Sequence, residues 1–398
     1  MSDFKALINS LCPDGVEFVK LGDIAKCYSG ATPSRAIREY WEGGTIPWMN
    51  SGEVNLGRVY KTENYITQLG FDSCSTKIVP PHTVVIALAG QGKTRGTVAI
   101  TEIELCTNQS LCAVEIKDER LDSYFLWHYL RGQYSTLRQI SSGDGTRGGL
   151  NQEMIRNFEV PIPPLELQRE IVRQLDLFSD LTTNLVKQLN EEAKSRIIQY
   201  EHYRRNILNF NKLNGGGKEI VTWMPLNMCC SIIKGDYLTR KDARAGSIPV
   251  ILGGQQPAYY IDKANHTGEA IVVSRSGASA GFVSWWQEPI FVTDGFMIEP
   301  TDVLRNRFLY HYLKDQQEHI NHNKRGSGVP HITSQMLSSI RLPIIPLHIQ
   351  DNIIMLLDSL FFFTTELSKE LADEINARKQ QFEYYRSILL SFSKKQVA

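Results

Sequence analysis

Phe158-Glu-Val-Pro-Ile-Pro-Pro-Leu-Glu-Leu-Gln168 is the stretch that decides the fold, because a second copy of it stands later in the chain. The second copy reads Ile340-Arg-Leu-Pro-Ile-Ile-Pro-Leu-His-Ile-Gln350, at an offset of 182 residues. This offset holds without a gap for about fifty residues, which is the sequence signature of a duplicated structural unit. The chain is therefore predicted to contain two copies of one module.

Upstream of this stretch the two copies still match, but their register drifts. Phe125–Leu130 matches Phe308–Leu313 at an offset of 183, and Thr45–Pro47 matches Ser247–Pro249 at an offset of 202. Changing offsets are expected where loops have gained or lost residues. Two modules that diverge at one end and agree at the other indicate two different ligands presented by one symmetric frame.

Each copy of the opening stretch is followed by apolar residues at three- and four-residue spacing. This pattern predicts helices from Leu165 to about Phe210 and from Leu347 to about Phe392, with prolines just before their first turns. An isolated helix would expose its apolar stripe, so we expect the two helices to pair. The predicted fold class is α+β: two domains of mixed α/β structure separated by two long antiparallel helices, a coiled coil, with a pseudo-two-fold internal repeat.

A charged pair in the middle of each helix leaves two interpretations open. Glu192 and Arg196 are repeated as Glu374 and Arg378. They could pair across the helix interface and fix its register. They could equally be ordinary i, i+4 pairs on a solvated helical face.

The variable segments in front of the helices combine strand and short-helix patterns with glycine turns. Thr83–Ala87 and Ala270–Ser274 are predicted strands, whereas Phe125–Leu130 and Phe308–Leu313 are predicted short helices. Gly215–Gly217 marks the linker into the second half. The predicted domain limits are 1–160 for the first variable domain, 161–212 for the central helix, 213–342 for the second variable domain and 343–398 for the second helix.

Composition narrows the class of protein. The 398 residues suit two domains, and a hydrophobic content of 42% is that of a folded protein. The sequence shows neither a membrane-spanning segment nor a secretory signal, so we expect a cytoplasmic protein. Seven cysteines without a C-x-x-C pair predict reduced, mostly buried thiols. Because 43 basic residues balance 43 acidic ones, any nucleic-acid contact must come from local patches.

Three motifs stand out: Val160-Pro-Ile-Pro-Pro-Leu-Glu-Leu-Gln168, Leu21-Gly-Asp-Ile24, and Gly30-Ala-Thr-Pro-Ser34 leading into Tyr40-Trp41 and Ile46-Pro-Trp48. Together with the order of variable domain, long helix, second variable domain and second helix, they resemble the specificity subunit of Type I restriction-modification systems. The resemblance covers essentially the whole chain. The second copy departs from the pattern, because Ile345 replaces a proline, His348 replaces an acidic residue and no Gly-Asp-Ile run follows Leu226.

The resemblance implies a non-catalytic subunit that reads a split DNA sequence. Each variable domain would be a target-recognition domain for one half-site, and the helices would set the unread gap. The implied partners are double-stranded DNA, two methyltransferase subunits and restriction (motor) subunits, with no membrane. The chain itself would hold no cofactor and no metal, since S-adenosylmethionine for adenine N6 methylation and ATP with Mg²⁺ are expected on the partner subunits. The alternative is a structural coiled-coil adaptor whose domains bind proteins rather than DNA.

The sharpest competing motif is a P-loop, because Ala87-Leu-Ala-Gly-Gln-Gly-Lys-Thr94 follows a predicted strand. The motif requires glycine where Ala87 stands, and it requires a helix where the β-branched run Arg95–Ile100 follows. The matching loop of the other copy, Ser276–Ser279, has no lysine. Nucleotide binding is therefore disfavoured.

Catalytic and metal-binding motifs are also weak. Neither the proline pairs nor the acidic residues Asp294 and Glu299 stand in the context of methyltransferase or nuclease chemistry. The histidines lack cysteine or carboxylate partners at ligand spacing, so they are interpreted as surface or helix-packing residues. These are His128, His311, His319 and His322.

Candidate DNA contacts are side chains that can reach base edges or phosphates from glycine-bearing loops of the variable domains. The candidates in the first domain are Thr32, Ser34, Arg35, Asn50, Ser51, Gln91, Lys93, Thr94, Arg95, Thr146 and Arg147. Those in the second domain are Lys234, Arg240, Gln255, Gln256, Arg275, Ser276, Ser279, Lys324, Arg325 and His331.

Overall fold

The computed structural model of the chain describes residue 8 and residues 10–90, 94–141, 149–210, 221–238, 244–326 and 328–395. Their contacts divide the chain into two compact units. Unit 1 is formed within Met1–Gln188 and Glu374–Ala398, and unit 2 within Leu189–Asp373. Each unit thus combines one variable domain with parts of both long helices. We call the described residues within 8–162 the first head and those within 221–344 the second head.

The first head is built from three antiparallel or mixed sheets. A two-stranded sheet pairs β1 with β11, a five-stranded sheet has the order β2-β10-β7-β8-β4, and a four-stranded sheet has the order β5-β3-β9-β6. The strands are β1 Glu17–Lys20, β2 Ala25–Ser29, β3 Ile46–Met49, β4 Arg58–Val59, β5 Asn64–Ile66, β6 Ile78–Val79, β7 Val84–Ala87, β8 Val98–Thr101, β9 Leu105–Thr107, β10 Leu111–Ile116 and β11 Glu159–Ile162.

Short helices cover this core and lead into the long helix α6. The helices are α1 Leu21–Ile24, α2 Gln68–Asp72, α3 Ser123–Gly132, α4 Tyr134–Ile140, α5 Gln152–Arg156 and α6 Leu165–Ile207, with 3₁₀ turns at Arg38–Tyr40 and Glu53–Leu56. Helix α3 begins where it does because the Asp122 carboxylate accepts hydrogen bonds from the backbone N–H groups of Tyr124 and Phe125. Its apolar face packs with the central strands and the start of α6 in one core.

The second head repeats this plan. Its sheets have the orders β12-β20, β13-β19-β16-β17 and β15-β14-β18. The strands are β12 Thr222–Pro225, β13 Cys230–Lys234, β14 Ala245–Ile251, β15 Tyr259–Ile261, β16 Ala270–Ser274, β17 Val283–Trp286, β18 Phe291–Val292, β19 Gly295–Pro300 and β20 Arg341–Ile344. The helices of this unit are α7 Leu226–Cys229, α8 Asn306–Asp315, α9 Gln317–His322, α10 Ser334–Ser338 and α11 Leu347–Leu389, of which α11 continues into unit 1.

The internal repeat is confirmed in the strands that the two heads share. Residues Leu111 and Ala87 are opposite each other in the first head, and Gly295 and Ser274 are opposite each other at the same place in the second. Strands β4 and β6 of the first head have no equivalent in the sheets described for the second head. The copies therefore share a frame and differ in what is inserted between its strands.

The long helices pair in antiparallel fashion inside each unit, as predicted. In unit 1, Phe178 stacks on Tyr385 with ring centroids 5.3 Å apart, and Leu175 shares a core with Leu389. In unit 2, Tyr200 contacts Phe361 with centroids 5.8 Å apart. The apolar stripes thus find their partners in the other helix copy.

The charged pairs in the helix middle follow the second of the two interpretations. Arg196 Nε donates to Glu192 Oε1 at 2.8 Å, and Arg378 Nε donates to Glu374 Oε1 at 2.8 Å. Both are i, i+4 pairs within one helix. Their side chains are about half exposed, which is the solvated-face arrangement.

Other predicted elements are confirmed. The predicted strand Ala270–Ser274 is β16, the predicted strand Thr83–Ala87 differs from β7 only by its first residue, and the predicted short helices lie within α3 and α8. The P-loop-like segment follows β7 and leads into β8 rather than into a helix. The seven cysteines, all in the described part of the chain, are free thiols. Among the described helices, none combines the length and apolar character required to cross a membrane. The glycine linker 215–217 lies outside the described residues.

Candidate nucleic-acid interface

Three loops of the second head meet at the end of β16. The N–H of Arg275 donates to the carbonyl of Asp294 at 3.0 Å, and the N–H of Ile332 donates to the carbonyl of Arg275 at 2.8 Å. Arg325 and His331 exchange both backbone hydrogen bonds, at 3.1 and 2.8 Å. These bonds join the loop after β16, the turn before β19 and the loop before α10. Arg275, Ser276, Arg325 and His331 therefore come together although they are far apart in sequence.

The side chain of Arg275 is held by a carboxylate at this meeting point. Its Nε donates to Asp294 Oδ1 at 2.6 Å, and the other carboxylate oxygen, Oδ2, accepts a hydrogen bond from the Ser276 hydroxyl. The Arg275 side chain is 42% exposed and that of Asp294 is 18% exposed. The pair thus lies at the surface with the carboxylate on the inner side.

A fourth loop, 252–256, packs against the same group. Gly253 has a φ of +65°, and a Cβ at this position would lie 2.9 Å from the Ser276 carbonyl oxygen and 3.3 Å from Asp294 Oδ2. Only glycine gives the backbone this approach. The exposed Gln255 and Gln256 follow directly in this loop.

The remaining candidates of the second head lie around this meeting point. Lys234 is exposed at the end of β13, where it is opposite Phe296 of β19. Ser279 is half-buried in the β16–β17 turn, where its carbonyl accepts from Phe282. Lys324 is half-buried next to Arg325. Arg240 lies outside the described residues.

The first head has the same backbone frame with different side chains. Leu88 takes the place of Arg275, since its N–H donates to Ser110 at 2.8 Å and its carbonyl accepts from Leu150 at 3.0 Å. The β7–β8 loop is two residues longer than the β16–β17 loop, because Gly96 bonds back to Ala87 as Gly281 bonds back to Ser274.

Of the loop candidates, Thr94 is half-buried and its hydroxyl donates to the Ala89 carbonyl at 3.4 Å. Arg95, in contrast, is buried, with 7% of its surface exposed. The structure therefore places Arg95 inside the first head. Gln91, Lys93, Thr146 and Arg147 lie outside the described residues.

Three further candidates of the first head, Thr32, Ser34 and Arg35, belong to the segment that packs beside Trp41 and Trp48. The Arg35 guanidinium lies 4.9 Å from the ring centre of Trp41 and 5.8 Å from that of Trp48. The Thr32 hydroxyl donates to Gln109 Oε1 at 2.6 Å, which ties this segment to the β9–β10 turn. Ser34 is exposed beside Arg35. An arginine stacked on indole rings presents its charge with little loss of side-chain entropy on binding.

Asn50 and Ser51 belong to a turn that is already organised by its neighbours. The backbone N–H of Asn50 donates to Glu53 Oε2 at 2.7 Å, and Asn50 Oδ1 accepts from the N–H of Gly52 at 2.7 Å. The carbonyl of Met49 accepts from Asn108 at 3.2 Å, so the turn adjoins the β9–β10 turn. The Asn50 side-chain oxygen is therefore used within the turn itself.

Sequence reasoning missed the residues that fasten each head to its long helix. Gln168 of α6 donates from Nε2 to the carbonyls of Arg120 and Pro163, both at 2.7 Å, and accepts from the N–H of Asp122 at 2.8 Å. The side chain is fully buried. The repeated glutamine is visible in the sequence, but no local pattern indicates that its side chain holds a loop.

Gln350 makes the equivalent clamp in unit 2. It donates to Val303 at 2.9 Å and Ile345 at 2.8 Å, and it accepts from the N–H of Arg305 at 2.8 Å. It too is fully buried. Each glutamine therefore connects the start of its long helix with the loop that precedes α3 in the first head or α8 in the second.

A histidine–aspartate pair forms a second contact between each head and a long helix. His128 Nε2 lies 2.9 Å from Asp176 Oδ1, and His311 Nε2 lies 2.7 Å from Asp358 Oδ1. These two histidines pack between helices, which confirms one of the two roles that the sequence predicted for them. The arginine that joins the aspartate differs, however, because Arg58 comes from β4 and Arg307 from α8.

Burial sets the protonation of these histidines. It lowers the pKa of His128, and it lowers the pKa of His311 from 6.5 to about 4 in spite of the neighbouring carboxylate. Burial by itself raises the pKa of Asp358, but hydrogen bonds from Arg307 and His311 bring it below its ordinary value. We therefore infer neutral histidines that donate from Nε2 to ionised carboxylates near pH 7.

The chemistry offered by the described residues is that of recognition. The exposed loops carry guanidinium, amide and hydroxyl groups, which are the donors and acceptors used on DNA bases and phosphates. Within the described residues, no group of three or more histidine, cysteine or acidic side chains is placed to hold a metal ion.

Comparison with known proteins gives the family. The family model for the Type I restriction modification DNA specificity domain matches residues 13–195 and 224–377, which is most of the chain and covers both copies of the repeat. This chain therefore belongs to that family, as the sequence motifs predicted.

Two relatives carry specificity-subunit names. The chain is 31% identical over 200 residues to the Type I restriction enzyme EcoR124I/EcoR124II specificity subunit of Escherichia coli, a match that covers 50% of this chain and 49% of that protein. It is 29% identical over 296 residues to a putative type I restriction enzyme specificity subunit of Haemophilus influenzae, which covers 69% of this chain and 74% of the relative. The match thus spans about half the length of the first relative.

Solved structures share the fold. A chain from a study of complex assembly and conformational transition of the type I R-M system is 16% identical with a TM-score of 0.77, and the likeness covers 95% of this chain and 98% of that one. The HsdS subunit from Thermoanaerobacter tengcongensis is 17% identical with a TM-score of 0.60, covering 95% and 97%. The predicted fold class of two mixed domains and two long antiparallel helices is confirmed.

Proposed function

We propose that this chain is the DNA sequence-recognition subunit of a cytoplasmic Type I restriction-modification enzyme. Each target-recognition domain takes one half of a split target, with the domain limits predicted from the sequence at residues 1–160 and 213–342. The observation that carries the proposal is that both heads end in the same backbone frame but fill it with different side chains. Arg275 in one frame and Leu88 in the other are the clearest instance. A reader of two unlike half-sites requires this combination of shared frame and divergent loops.

The candidate residues are proposed as the contacts of these half-sites. The described candidates of the second head lie at the end of β13, in loop 252–256, in the β16–β17 loop and in the loop before α10, and those of the first head lie in the Arg35 segment, the Asn50 turn and the β7–β8 loop. The candidates outside the described residues are proposed from the sequence alone. Arg and Gln side chains there suit base edges, whereas Ser and Thr hydroxyls suit phosphates. Arg95 is buried in this conformation, so its contact would require the β7–β8 loop to rearrange.

The partners follow from the class of enzyme. The E. coli relative is named as the specificity subunit of a Type I restriction enzyme, and one fold neighbour comes from work on assembly of the type I R-M system. We propose that this chain likewise has no catalytic role and assembles with two methyltransferase subunits and with restriction subunits. S-adenosylmethionine, ATP and Mg²⁺ belong to those subunits.

Selection from a randomised duplex pool tests the proposal. The chain, alone and with a partner methyltransferase subunit, is incubated with the pool, and bound DNA is sequenced. The expected result is one motif with two specified halves separated by a fixed gap, bound in a salt-dependent manner. If the chain enriches no DNA motif and binds the methyltransferase subunit but no duplex DNA, the alternative of a structural coiled-coil adaptor would be favoured.

A further inference from the structure

The carboxylate of Asp294 belongs to no metal-binding group among the described residues. It accepts two side-chain hydrogen bonds at the point where the loops of the second head meet. One oxygen accepts from Arg275 Nε at 2.6 Å, and the other accepts from the Ser276 hydroxyl. Its own backbone carbonyl accepts from the N–H of Arg275 at 3.0 Å. Arg275 is thus fixed to the same residue by its main chain and by its side chain.

The direction of this hold matters for recognition. The hydrogen bond is donated by Nε, at the inner side of the guanidinium, so the carboxylate does not occupy the outer edge formed by the two terminal NH₂ groups. That outer edge is the part of arginine that donates two parallel hydrogen bonds to guanine O6 and N7 in the major groove. A side chain that is 42% exposed leaves room for such an approach.

The first head shows that the frame does not itself need this pair. Leu88 stands at the position of Arg275, and Ser110 stands at the position of Asp294, with the same backbone hydrogen bond of 2.8 Å between them. The backbone junction is therefore complete without a charged pair. Arg275 and Asp294 are an addition that only the second head carries.

The pair also has a cost that a purely structural role does not explain. Ordering an arginine side chain costs conformational entropy, and this cost offsets most of the attraction in a partly exposed ion pair, so the pair adds little to the stability of the unbound head. Ordering the side chain before DNA arrives would instead lower the entropy cost of binding. A partly neutralised guanidinium is also a weaker point charge for phosphates on any sequence.

We propose that Asp294 is the positioning residue of the second half-site: it holds Arg275 by Nε so that the terminal NH₂ groups read a guanine. This inference rests on the proposed function and adds one base and one residue pair to it. Gly253 belongs to the same arrangement, because its missing side chain lets loop 252–256 close over the Ser276–Asp294 contact.

A double-mutant cycle in the full-length chain tests the proposal. Asp294→Ala, Arg275→Ala and the double variant are compared with the unmodified chain by selection from the randomised duplex pool, with the methyltransferase subunit present. Asp294→Asn, which keeps the volume of the side chain, is included in case Asp294→Ala fails to fold. Ser110→Ala is the matched control in the first head.

The expected result is a loss confined to one position. Asp294→Ala and Asp294→Asn should lower the preference for guanine at one base of the second half-site by about tenfold. The first half-site should stay unchanged, and binding to non-target DNA should not weaken, because the freed Arg275 charge still attracts phosphates. Asp294→Ala should have no further effect on base preference once Arg275 is alanine, and Ser110→Ala should leave both half-sites unchanged.

The two failures can be told apart. If the unmodified chain enriches no split motif, the proposed function fails and this inference falls with it. If the unmodified chain enriches a split motif but Asp294→Asn, folded, retains every base frequency, only the role of Asp294 is overturned. It is overturned as well if Asp294→Ala reduces guanine preference equally with and without Arg275, since the residue would then not act through the arginine.

Discussion

The two heads are alike where they meet the long helices and unlike where their sheets end. At the junctions, Gln168 and Gln350 make the same three kinds of hydrogen bond, from equivalent positions and with full burial. At the sheet ends, a leucine in one head stands where a charged pair stands in the other. The comparison teaches that the frame fixes where a side chain stands, whereas the loops decide what it presents.

The largest effect is expected at the junctions with the long helices, where the two heads are alike. Gln168→Ala or Gln350→Ala removes one acceptor and two donors at a fully buried side chain, so that one backbone N–H and two carbonyls lose these partners. Each should lower the free energy of unfolding by about 3 kcal/mol. Chemical denaturation measures this loss.

Gln188→Ala, at an exposed position of α6, is the matched control for the glutamine variants and should change stability by less than about 0.5 kcal/mol. Equal losses from Gln168→Ala and Gln350→Ala would sharpen the view that the junctions are alike. A loss from only one of them would break it.

The sheet ends, where the two heads differ, predict different effects on stability for the substitution of two arginines. Arg275→Ala should weaken binding to the second half-site alone by about 1 to 3 kcal/mol, with little change in melting temperature. Arg95→Ala should weaken the first half-site alone and, because this side chain is buried, should also lower the melting temperature. Titration of half-site variants, with melting curves, measures both.

An equal loss on every DNA sequence would reassign either arginine to phosphate contact. Absence of any melting change in Arg95→Ala would show that its burial adds nothing to stability.

Acid should weaken the second head through His311. Its pKa lies near 4 in the folded chain against an ordinary 6.5, so the unfolded chain takes up the proton first. The stability contribution is complete above pH 6.5 and is lost progressively as the pH falls toward 4. At pH 5 the loss should be about 2 kcal/mol.

Denaturation of the full chain at pH 8 and pH 5 measures this loss, with His311→Gln as the variant that cannot titrate. The drop between the two pH values should be smaller in the variant by about that amount. His128 is unchanged in this variant, and because burial also lowers its pKa, its contribution remains in the pH dependence of both proteins. An unchanged pH dependence in His311→Gln would contradict the assignment.

The smallest effect is expected for the charged pairs in the helix middle. Arg196→Ala and Arg378→Ala each remove an exposed i, i+4 pair, so each should cost about 0.3 to 0.5 kcal/mol, and less at high salt. Denaturation at low and high salt measures this. A cost of several kcal/mol would mean that these residues pair across an interface instead.

Much of the fold was readable because duplication and periodicity are local signals. Repeated proline–leucine–glutamine stretches and three- and four-residue apolar spacing predicted both long helices, which α6 and α11 confirm. The candidate site was readable only as residue types on glycine-bearing loops. Arg95 shows the limit, because sequence does not reveal that a loop arginine is buried.

The sequence by itself determined that there are two copies of one module, where each long helix begins and that the copies diverge in front of those helices. These properties follow from spacing along one chain. Only the tertiary structure decided that Arg275 meets Asp294, that Gln168 closes a buried junction and that Arg58 and Arg307 reach equivalent aspartates from different elements. The reason is physical: such contacts join residues distant in sequence, and their geometry is fixed only when strands and loops pack together.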